Sequence, residues 1–435
     1  MVGSWRVSRT SAPSAPQTLL VPGDKSISHR AVMLATLALG ESEIVNFLPG
    51  SDCLATVGAM ESLGGRMTWL ARDRLLVRGA QPLRSPGQPL DCGNSGTAMR
   101  LLAGLMAGQN VAARLHGDDS LSRRPMHRVV DPLTRMGARV KALGEDGRPP
   151  LLIDPGEGLH GVSFAPSVPS AQVKSAILLA GLGAWGETSV TESTPTRDHT
   201  ERMLPSFGVS LERADGSVSL TGRQPLRAAR IDIPGDFSSA AFLLLAGVIG
   251  QVEARTDSVG INPGRTGFLK ALKRMGAGIR ILARRHAGAE PVADLAAAPA
   301  ALKGVRLPAS LAPSMIDEMP ALFAAAACAS GQTVIEGAAE LRVKESDRIA
   351  VMVAGLRALG VECRETPDGA SINGGAVRGG EVDAQGDHRI AMAFSILALV
   401  AKGPVTVKGV ELVDTSFPGF ARIARSLGLL FESIG

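Results

Sequence analysis

Basic side chains recur immediately before apolar stretches that have the length and composition of helices. These basic residues are Lys25, Arg30, Arg124, Arg197, Lys344, Arg348 and Arg389. A cation at a helix N-terminus opposes the helix macrodipole at a cost of about 0.3–1 kcal/mol, whereas a bound anion is stabilised there. A surface ion pair explains any one of these residues equally well, but it explains the whole set poorly. The set therefore predicts a site for a polyanion or for two anions.

Two carboxylates, Asp317 and Glu345, stand among these cations. Glu345 lies next to Lys344 and three residues before Arg348. A carboxylate among cations stays ionised and can accept a proton from a hydroxyl held at hydrogen-bond distance. It can equally be an ion-pair partner that holds an arginine in place. Spacing alone leaves both interpretations open.

Familiar metal, cofactor and nucleophile motifs are missing from the sequence. Its four cysteines, Cys53, Cys92, Cys328 and Cys363, lie far apart, in no CxxC pair and at no Cys/His metal-ligand spacing. No disulfide framework and no metal site are therefore predicted. There is also no GxxxxGK[ST], GxSxG or HExxH motif, and residues 93–96 lack the spacing of a dinucleotide-binding loop. We expect a reaction that uses neither a metal nor a cofactor.

Composition favours a soluble, folded protein with a small anionic substrate. The 435 residues include 45% hydrophobic and 20% charged residues, and the net charge is +5. The positive charge is spread along the chain and aromatic residues make up only 3%, so a nucleic-acid partner is not expected. The longest apolar run, 240–249, is about half a membrane span. We expect a cytoplasmic protein whose residues 1–17, rich in Ser, Ala, Pro and Arg, are frayed.

Glycines mark an internal repeat. A helix-like stretch ending in an apolar residue and glycine occurs six times, at Gly64, Gly137, Gly208, Gly276, Gly360 and Gly428. A second series, in which an Ala/Leu-rich helix stops at glycine before a β-branched stretch, alternates with it at Gly40, Gly108, Gly186, Gly250, Gly331 and Gly403. Glycine suits a helix C-terminus because it adopts the left-handed conformation without steric cost. Six units of helix, strand, helix and strand are predicted.

Six such units are too many for one core, so we expect three in each of two domains. Residues 231–236 (IDIPGD), between the third and fourth units, fit a crossing strand with a Pro-Gly break. The first helices of the units are predicted to begin at 24–30, 94–97, 170–172, 236–239, 316–318 and 387–389. The polar motifs therefore gather at helix N-termini.

Six motifs together resemble the EPSP synthase family. They are residues 22–30 (PGDKSISHR), 92–100 (CGNSGTAMR), 122–126 (SRRPM), 196–200 (TRDHT), 341–348 (LRVKESDR) and 387–391 (DHRIA). The likeness extends in order from about residue 21 to 420 and is closest to the bacterial, single-function branch. It implies an α/β fold of two similar domains, each of three βαβαββ repeats, forming an inside-out α/β barrel with the active site in the interdomain cleft. The implied domains are 1–23 with 235–435, and 24–234.

The resemblance also implies a reaction. The enolpyruvyl group of phosphoenolpyruvate would pass to the 5-hydroxyl of shikimate 3-phosphate, with release of phosphate. By likeness, Asp317 is the base, Glu345 the proton donor to C3, and Lys25 supports the transition state. Shikimate 3-phosphate would contact Lys25, Ser26, Arg30, Ser170, Ala171, Gln172, Arg197, Asp317 and Lys344. Phosphoenolpyruvate would contact Lys25, Gly96, Arg124, Gln172, Arg348 and Arg389.

The sequence departs from the family pattern in places. Some members have a lysine shortly before the last Phe-Pro, where this chain has residues 414–416 (DTS), so the resemblance does not carry that lysine's phosphate contact over. Gly96 leaves the phosphoenolpyruvate pocket unfilled and predicts inhibition by glyphosate, although Leu101 replaces the usual proline. A monomer is the family's habit.

Two alternatives remain at this point. The enolpyruvyl transferase family that acts on UDP-N-acetylglucosamine is the nearest rival. It uses a loop cysteine as its acid, and none of the four cysteines in this sequence lies in such a loop. A basic binding module without catalysis is the second alternative; a steep loss of affinity with salt would identify it if phosphate-backbone contacts dominated.

Overall fold

The computed structural model describes residues 3–11, 13 and 15–434. The chain divides into two compact units. The terminal unit contains Met1–Pro22, Pro234–His286 and Pro291–Gly435, and the central unit contains Gly23–Ile233 and Ala287–Glu290. Each unit has its own hydrophobic core.

Strands and short helices alternate along the described chain. The helices are α1 Lys25–Leu37, α2 Ser51–Ser62, α3 Gly96–Gln109, α4 His127–Arg135, α5 Ala171–Gly181, α6 His199–Met203, α7 Phe237–Ile249, α8 Gly267–Arg274, α9 Met319–Ala327, α10 Arg348–Ala358, α11 His388–Leu397 and α12 Phe420–Arg425. The strands are β1 Ser4–Arg9, β2 Gln17–Leu19, β3 Glu41–Val45, β4 Arg66–Ala71, β5 Arg74–Arg78, β6 Leu90–Asp91, β7 Ala113–His116, β8 Arg139–Ala142, β9 Leu151–Asp154, β10 Ser163–Phe164, β11 Glu187–Thr191, β12 Glu212–Ala214, β13 Ser217–Thr221, β14 Arg230–Asp232, β15 Ala254–Gly260, β16 Ile279–Ala287, β17 Glu290–Ala297, β18 Gly331–Ile335, β19 Glu362–Thr366, β20 Gly369–Gly374, β21 Gly380–Asp383, β22 Val405–Lys408 and β23 Leu429–Ile434.

The strands form small sheets that share one topology. In the central unit their orders are β14-β3-β5-β4, β6-β7-β9-β8 and β10-β11-β13-β12. In each, the first pair is parallel and the other pairs are antiparallel. A parallel pair needs a crossover connection, and in the β6–β7 and β10–β11 pairs helices α3 and α5 supply it. This is the predicted βαβαββ unit.

The terminal unit repeats the pattern. Its sheet orders are β16-β17-β15-β2, β21-β22-β1-β23 and β18-β20-β19. Lys303 and Arg306 add parallel bridges to Ser330 and Val334 at the β18 edge of the three-stranded sheet. The predicted α/β class, with three units of this kind in each half, is confirmed.

The N-terminal segment corrects one expectation. Residues 4–9 are not frayed: β1 lies between β22 and β23, with Trp5 opposite both Val407 and Ser433. Val7 is fully buried, and the Trp5 ring packs against the rings of Phe420 and Phe431. The segment is ordered by strands more than 390 residues away in the chain, which local composition does not reveal. Residues 1, 2, 12 and 14 of the predicted frayed stretch lie outside the described residues.

The glycine series behaves as predicted in part. All six glycines of the first series have positive φ, from 80° at Gly360 to 109° at Gly64. In the second series Gly40, Gly186 and Gly331 also do. The prediction is wrong for Gly108, which lies inside α3, and for Gly250 and Gly403, which are not in the left-handed region. After Gly108 the left-handed residue is Asn110, with φ 55°.

Buried helices in each unit carry the predicted polar motifs at their N-termini. Helices α1, α3 and α5 in the central unit are almost entirely buried beyond their first turns. Helices α7, α9 and α11 play the same part in the terminal unit. A Cβ atom at Gly104 in α3 would lie 2.1 Å from the carbonyl oxygen of Ala176 in α5, so glycine permits close packing of these two helices. Within the described residues, no helix combines the length and apolar character needed to span a membrane.

Candidate active site

Short polar side chains cap the helices that carry the central unit's cations. Asp24 accepts a hydrogen bond from the Ile27 amide at 3.0 Å, and Ser95 accepts one from the Ala98 amide at 3.1 Å. Ser170 caps α5 in the same way, accepting from Val173 N at 3.4 Å. These contacts satisfy N–H groups that the helix cannot pair internally. The predicted starts of these three helices are confirmed. Lys25 lies in the first turn of α1 and Arg30 in its second turn, whereas Arg124 and Arg197 lie in the loops before α4 and α6.

Arg30 is buried in α1 and held by neutral groups. Its Nε donates to Thr200 Oγ1 at 2.7 Å, Nη1 donates to the Ser26 carbonyl at 2.8 Å, and Nη2 donates to Ser175 Oγ at 2.7 Å. No carboxylate lies within ion-pair distance of Arg30 in the described part of the chain. Burial lowers the pKa of Arg30 to about 10, and although the charge of Glu201 opposes this, that of Arg197 adds to it.

Lys25, in contrast, has a partner inside the protein. Its ammonium group forms an ion pair with Asp52, at the start of α2, and both side chains are largely buried. The anion expected from the sequence is therefore supplied in part by the chain itself. Lys25 is fixed in direction by this contact.

A second cluster joins the N-termini of α3 and α5. Arg100 Nη1 donates to Gln172 Oε1 at 2.7 Å, and Gln172 Nε2 donates to Thr97 Oγ1 at 2.8 Å. A Cβ atom at Gly96 would lie 2.8 Å from Arg100 Nη1 and 3.1 Å from Arg124 Nη1. Gly96 thus lies against the guanidinium groups of Arg100 and Arg124, the first of which contacts the Gln172 amide. Arg100 belongs to a motif identified in the sequence but was assigned no role there.

Arg124 is nearly buried and oriented by a chain of polar contacts. Its Nη2 donates to Asn94 Oδ1 at 2.7 Å and to Ser120 Oγ at 3.2 Å. Asn94 in turn donates to Asp118 Oδ2 at 2.6 Å, and Asp118 Oδ1 accepts from the Leu121 amide at 2.8 Å. The guanidinium direction is therefore set by the loops before α3 and α4.

The remaining predicted residues of the central unit lie at and near α5. Ser170 is the cap, Ala171 is the first residue of the helix, and Arg197 is half-buried in the loop before α6. The charge of Arg197 contributes to the lowered pKa of Arg30. Ser170, Ala171, Gln172, Arg30 and Arg197 are thereby grouped in this unit.

In the terminal unit, Arg348 is the centre of a carboxylate cluster. Only 1% of its side chain is exposed, and its Nε donates to Asp387 Oδ2 at 2.7 Å. Its Nη2 donates to Glu345 Oε2 at 2.6 Å, while Nη1 lies 3.7 Å from Asp317 Oδ1. Burial opposes the charge, but the Asp387, Glu345 and Asp317 carboxylates raise the pKa of Arg348. Nη1 makes no hydrogen bond within the described residues.

Lys344 and Arg389 complete this group. Arg389 Nη1 donates to the Asp317 carbonyl at 3.2 Å, and no carboxylate in the described residues lies within ion-pair distance of it. Lys344 Nζ is 4.0 Å from Glu340 Oε1. Burial lowers the pKa of Lys344, although the carboxylates of Asp317, Glu340 and Glu345 act in the opposite direction. Asp317 and Glu345 can each still be a proton acceptor or an ion-pair partner of an arginine. Each lies near Arg348, and each also acts on the charge of Lys344.

The predicted site residues thus form two groups, one in each unit. The central unit carries Lys25, Ser26, Arg30, Gly96, Arg124, Ser170, Ala171, Gln172 and Arg197, and the terminal unit carries Asp317, Lys344, Glu345, Arg348 and Arg389. The sequence analysis missed the ion pairs of Lys174 in α5. A lysine within a largely apolar helix was the sequence feature that could have revealed them.

The thiols are placed for packing. None of the four cysteines, all of which the structure describes, forms a disulfide. Burial raises the pKa of the Cys92 thiol, and it raises that of Cys328 to about 12. Among the described residues, no group of three or more His, Cys, Asp or Glu side chains is arranged to hold a metal ion.

The fold and these groups define a class: two α/β units of repeated βαβαββ topology with cations at buried helix N-termini, suited to small anionic substrates. A family model described as EPSP synthase (3-phosphoshikimate 1-carboxyvinyltransferase) matches residues 15–423. The chain belongs to the EPSP synthase family, as the six motifs predicted.

Individual relatives agree over nearly the full chain. A 3-phosphoshikimate 1-carboxyvinyltransferase from Xanthomonas euvesicatoria pv. vesicatoria (strain 85-10) is 53% identical over 421 residues, 96% of both chains. One from Acidithiobacillus ferrooxidans (strain ATCC 53993 / BNL-5-31) is 55% identical over 415 residues, 95% of both. A solved structure of EPSP synthase from Acinetobacter baumannii has a TM-score of 0.88 at 44% identity and covers 100% of each chain.

Proposed function

We propose that this protein transfers the enolpyruvyl group of phosphoenolpyruvate to the 5-hydroxyl of shikimate 3-phosphate, releasing phosphate, in the biosynthesis of aromatic amino acids. The observation that carries the proposal is the pair of cationic groups at helix N-termini, one in each unit, in a chain of this family. We propose that both groups serve one reaction, with domains of 1–23 plus 235–435 and 24–234. The cleft between domains stays a prediction of the resemblance.

Shikimate 3-phosphate is assigned to Lys25, Ser26, Arg30, Ser170, Ala171, Gln172, Arg197, Asp317 and Lys344. The contacts of Arg30 support this assignment, because its three hydrogen bonds use three of five guanidinium N–H groups. The remaining two have no partner within the described residues and no carboxylate competes for them. A buried guanidinium held by neutral groups retains its attraction for a phosphate.

Phosphoenolpyruvate is assigned to Lys25, Gly96, Arg124, Gln172, Arg348 and Arg389. Gly96 supports this because the missing side chain lets two guanidinium groups approach the start of α3 closely; a Cβ atom there would lie 2.8 Å from Arg100 Nη1 and 3.1 Å from Arg124 Nη1. Arg348 Nη1 and the Arg389 guanidinium offer further donors in the terminal unit. The fork of Arg389 can bind a carboxylate or phosphate in a bidentate manner, whereas Arg348 offers Nη1 alone because its Nε and Nη2 donate to Asp387 and Glu345.

Asp317 is proposed as the base for the substrate hydroxyl. Its Oδ1 is within electrostatic range of Arg348 Nη1, at 3.7 Å, but beyond hydrogen-bond distance from it. The nearby cations favour the ionised carboxylate, which can accept the hydroxyl proton as the oxygen adds to C2 of phosphoenolpyruvate. The tetrahedral intermediate then loses phosphate from C2 and a proton from C3, which restores the C=C bond of the enolpyruvyl group; Glu345, the donor in the addition, takes this proton back. Lys25 stabilises negative charge in the transition state.

Glu345 is proposed as the proton donor to C3. Its 2.6 Å hydrogen bond with Arg348 favours the ionised carboxylate, so the role requires an exchange of partners. When an anionic group of phosphoenolpyruvate binds Arg348, the Glu345 carboxylate loses part of this stabilisation and takes up a proton more readily. The Arg348–Glu345 contact therefore links the binding of phosphoenolpyruvate to the protonation of Glu345.

We further propose a cytoplasmic monomer that needs no metal or cofactor and is inhibited by glyphosate at the phosphoenolpyruvate position. The test measures phosphate release with both substrates, with either one omitted, and with Asp317→Ala. Release that requires both substrates and falls about 100-fold or more in the variant is expected, since general base catalysis contributes about 10²–10⁴-fold. No release by the parent protein refutes the proposal.

A further inference from the structure

Lys174 is a buried lysine in an otherwise small and apolar part of α5. Its side chain is 4% exposed, and it follows the proposed substrate residues Ser170, Ala171 and Gln172 by one turn or less. Burying an ammonium group is strongly unfavourable unless carboxylates compensate it. The reaction proposed above does not use this charge.

Two buried glutamates surround the Lys174 ammonium. Nζ lies 2.5 Å from Glu192 Oε2 and 2.8 Å from Glu201 Oε1, and all three side chains are less than 10% exposed. Burial alone disfavours the charge, but the Glu201 and Glu192 carboxylates raise the pKa of Lys174. The triad holds one positive and two negative charges, so a further cation is needed nearby for balance.

Arg30 is that cation, and it is connected to the triad through hydroxyl groups. Ser175, next to Lys174, accepts from Arg30 Nη2, and Thr200, next to Glu201, accepts from Arg30 Nε, each at 2.7 Å. Thr200 Oγ1 also donates to Ser175 Oγ at 2.8 Å. The negative charge of Glu201 acts to raise the pKa of Arg30, yet Glu201 forms its ion pair with Lys174. Lys174 therefore holds Oε1 of the carboxylate that could otherwise capture Arg30, while Oε2 makes no hydrogen bond within the described residues.

The second glutamate holds the loop that carries Arg197. Glu192 Oε2 accepts from the Thr196 amide at 3.3 Å, and Glu192 Oε1 accepts from the Thr196 hydroxyl. Thr196 directly precedes Arg197. Because Glu192 Oε2 also pairs with the Lys174 ammonium, the position of this loop depends on the same ammonium group.

We propose that Lys174 is a positioning residue for shikimate 3-phosphate: it pairs with Glu201, which leaves Arg30 available to the ligand, and it anchors Glu192, which places Arg197. The proposal rests on the function proposed above, in which both arginines bind that substrate. Lys174 itself touches neither substrate in this account.

The test measures the dissociation constant of shikimate 3-phosphate by calorimetry, without catalysis, and the KM for each substrate. In Lys174→Met the uncompensated Glu201 attracts Arg30, so we expect the dissociation constant to rise about tenfold or more. The KM for phosphoenolpyruvate should change by less than about threefold. Lys141→Met, at an exposed position of β8 in the same unit, is the matched control and should change neither value.

Charge compensation separates positioning from a general loss of structure. In the double variant Lys174→Met with Glu201→Gln, Glu201 no longer competes for Arg30, so substrate affinity should recover in part, although the contact of Lys174 with Glu192 remains lost. Unchanged affinity in Lys174→Met, equal losses for both substrates, or no recovery in the double variant would overturn the proposal.

A further variant covers the case in which Lys174→Met does not fold. Glu192→Gln keeps the side-chain size, weakens the hold on Thr196 and removes one of the two charges opposite Lys174, while Glu201 still pairs with Lys174. It should raise the same dissociation constant selectively; no change overturns the proposal. If the parent protein does not bind shikimate 3-phosphate at all, the proposed function fails. If parent and variants bind it equally well, only the inference about Lys174 fails.

Discussion

Arg348 and Asp387 form a fully buried ion pair that joins the first turns of α10 and α11. Arg348 Nε donates to Asp387 Oδ2 at 2.7 Å, and Asp387 Oδ1 accepts from the Arg389 amide at 3.0 Å. One carboxylate therefore caps a helix and orients an arginine. A second arginine, Arg389, follows Asp387 in the first turn of α11.

Replacing this carboxylate should destabilise the fold. Asp387→Asn keeps a good helix cap but removes the charge opposite a buried guanidinium, and breaking a buried pair typically costs about 3–5 kcal/mol. We expect a loss of about 3 kcal/mol in the free energy of unfolding, because Glu345 still pairs with Arg348. Urea unfolding measures it.

The control is an exposed pair in the same unit. Arg306 and Glu336 are 67% and 42% exposed and lie 2.8 Å apart, so Glu336→Gln should change stability by less than about 1 kcal/mol. Equal effects of the two substitutions would contradict the role assigned to Asp387.

Substrate binding should weaken at alkaline pH because of Lys344. Burial lowers its pKa below the ordinary value of 10.5. Its positive charge is therefore present below the lowered pKa and lost as pH rises through it. We expect the dissociation constant of shikimate 3-phosphate to increase at a pH where an ordinary lysine remains charged. Lys344→Arg, which stays protonated, should move this increase to higher pH; an identical profile would exclude Lys344 as its source.

Gly96→Ala should weaken phosphoenolpyruvate binding and inhibition by glyphosate. The added Cβ atom would lie 2.8 Å from Arg100 Nη1, so the Arg100 guanidinium must move and its 2.7 Å contact with Gln172 must change. Displacing a charge-assisted contact corresponds to about tenfold in KM. Inhibition curves of parent and variant measure the second effect, and superimposable curves would contradict it.

Gly186→Ala should destabilise the protein through the backbone alone. Gly186 has φ 82°, and a Cβ atom there would meet nothing within 4 Å. The left-handed conformation costs an alanine about 1–2 kcal/mol. At Gly58, inside α2, the space is equally open but φ is not positive, so Gly58→Ala should stabilise by about 0.5–1 kcal/mol. Thermal unfolding measures both changes in stability. Changes of opposite sign support this explanation of the repeat, and changes of the same sign would contradict it.

The repeat was predictable because it depends on local backbone geometry. Gly64 and its five counterparts follow helix C-termini, and all have positive φ. Gly250 looks the same in sequence, yet its backbone is extended, and a Cβ atom there would lie 2.4 Å from the Ala246 carbonyl oxygen. Close packing, which sequence does not display, selects glycine at that position. Strand β1 was missed for a related reason, since its partners lie at the other end of the chain.

The candidate site was predictable in its residue types but not in its pairing. Cations before apolar helices indicated anion binding, and Arg30 fits that explanation. Lys25 and Arg348 pair instead with Asp52, Asp387 and Glu345, and these partners come from elements distant in sequence or from residues that spacing left ambiguous. Which carboxylate meets which cation follows from the tertiary packing of the helices.

The most direct test is an analysis of the products formed from shikimate 3-phosphate and phosphoenolpyruvate by this protein. Phosphorus NMR follows phosphate, and mass spectrometry follows the shikimate product. The account predicts equal amounts of phosphate and 5-enolpyruvylshikimate 3-phosphate, with loss of both in Asp317→Ala. Phosphate without the enolpyruvyl product, or no product from the parent protein, would contradict it.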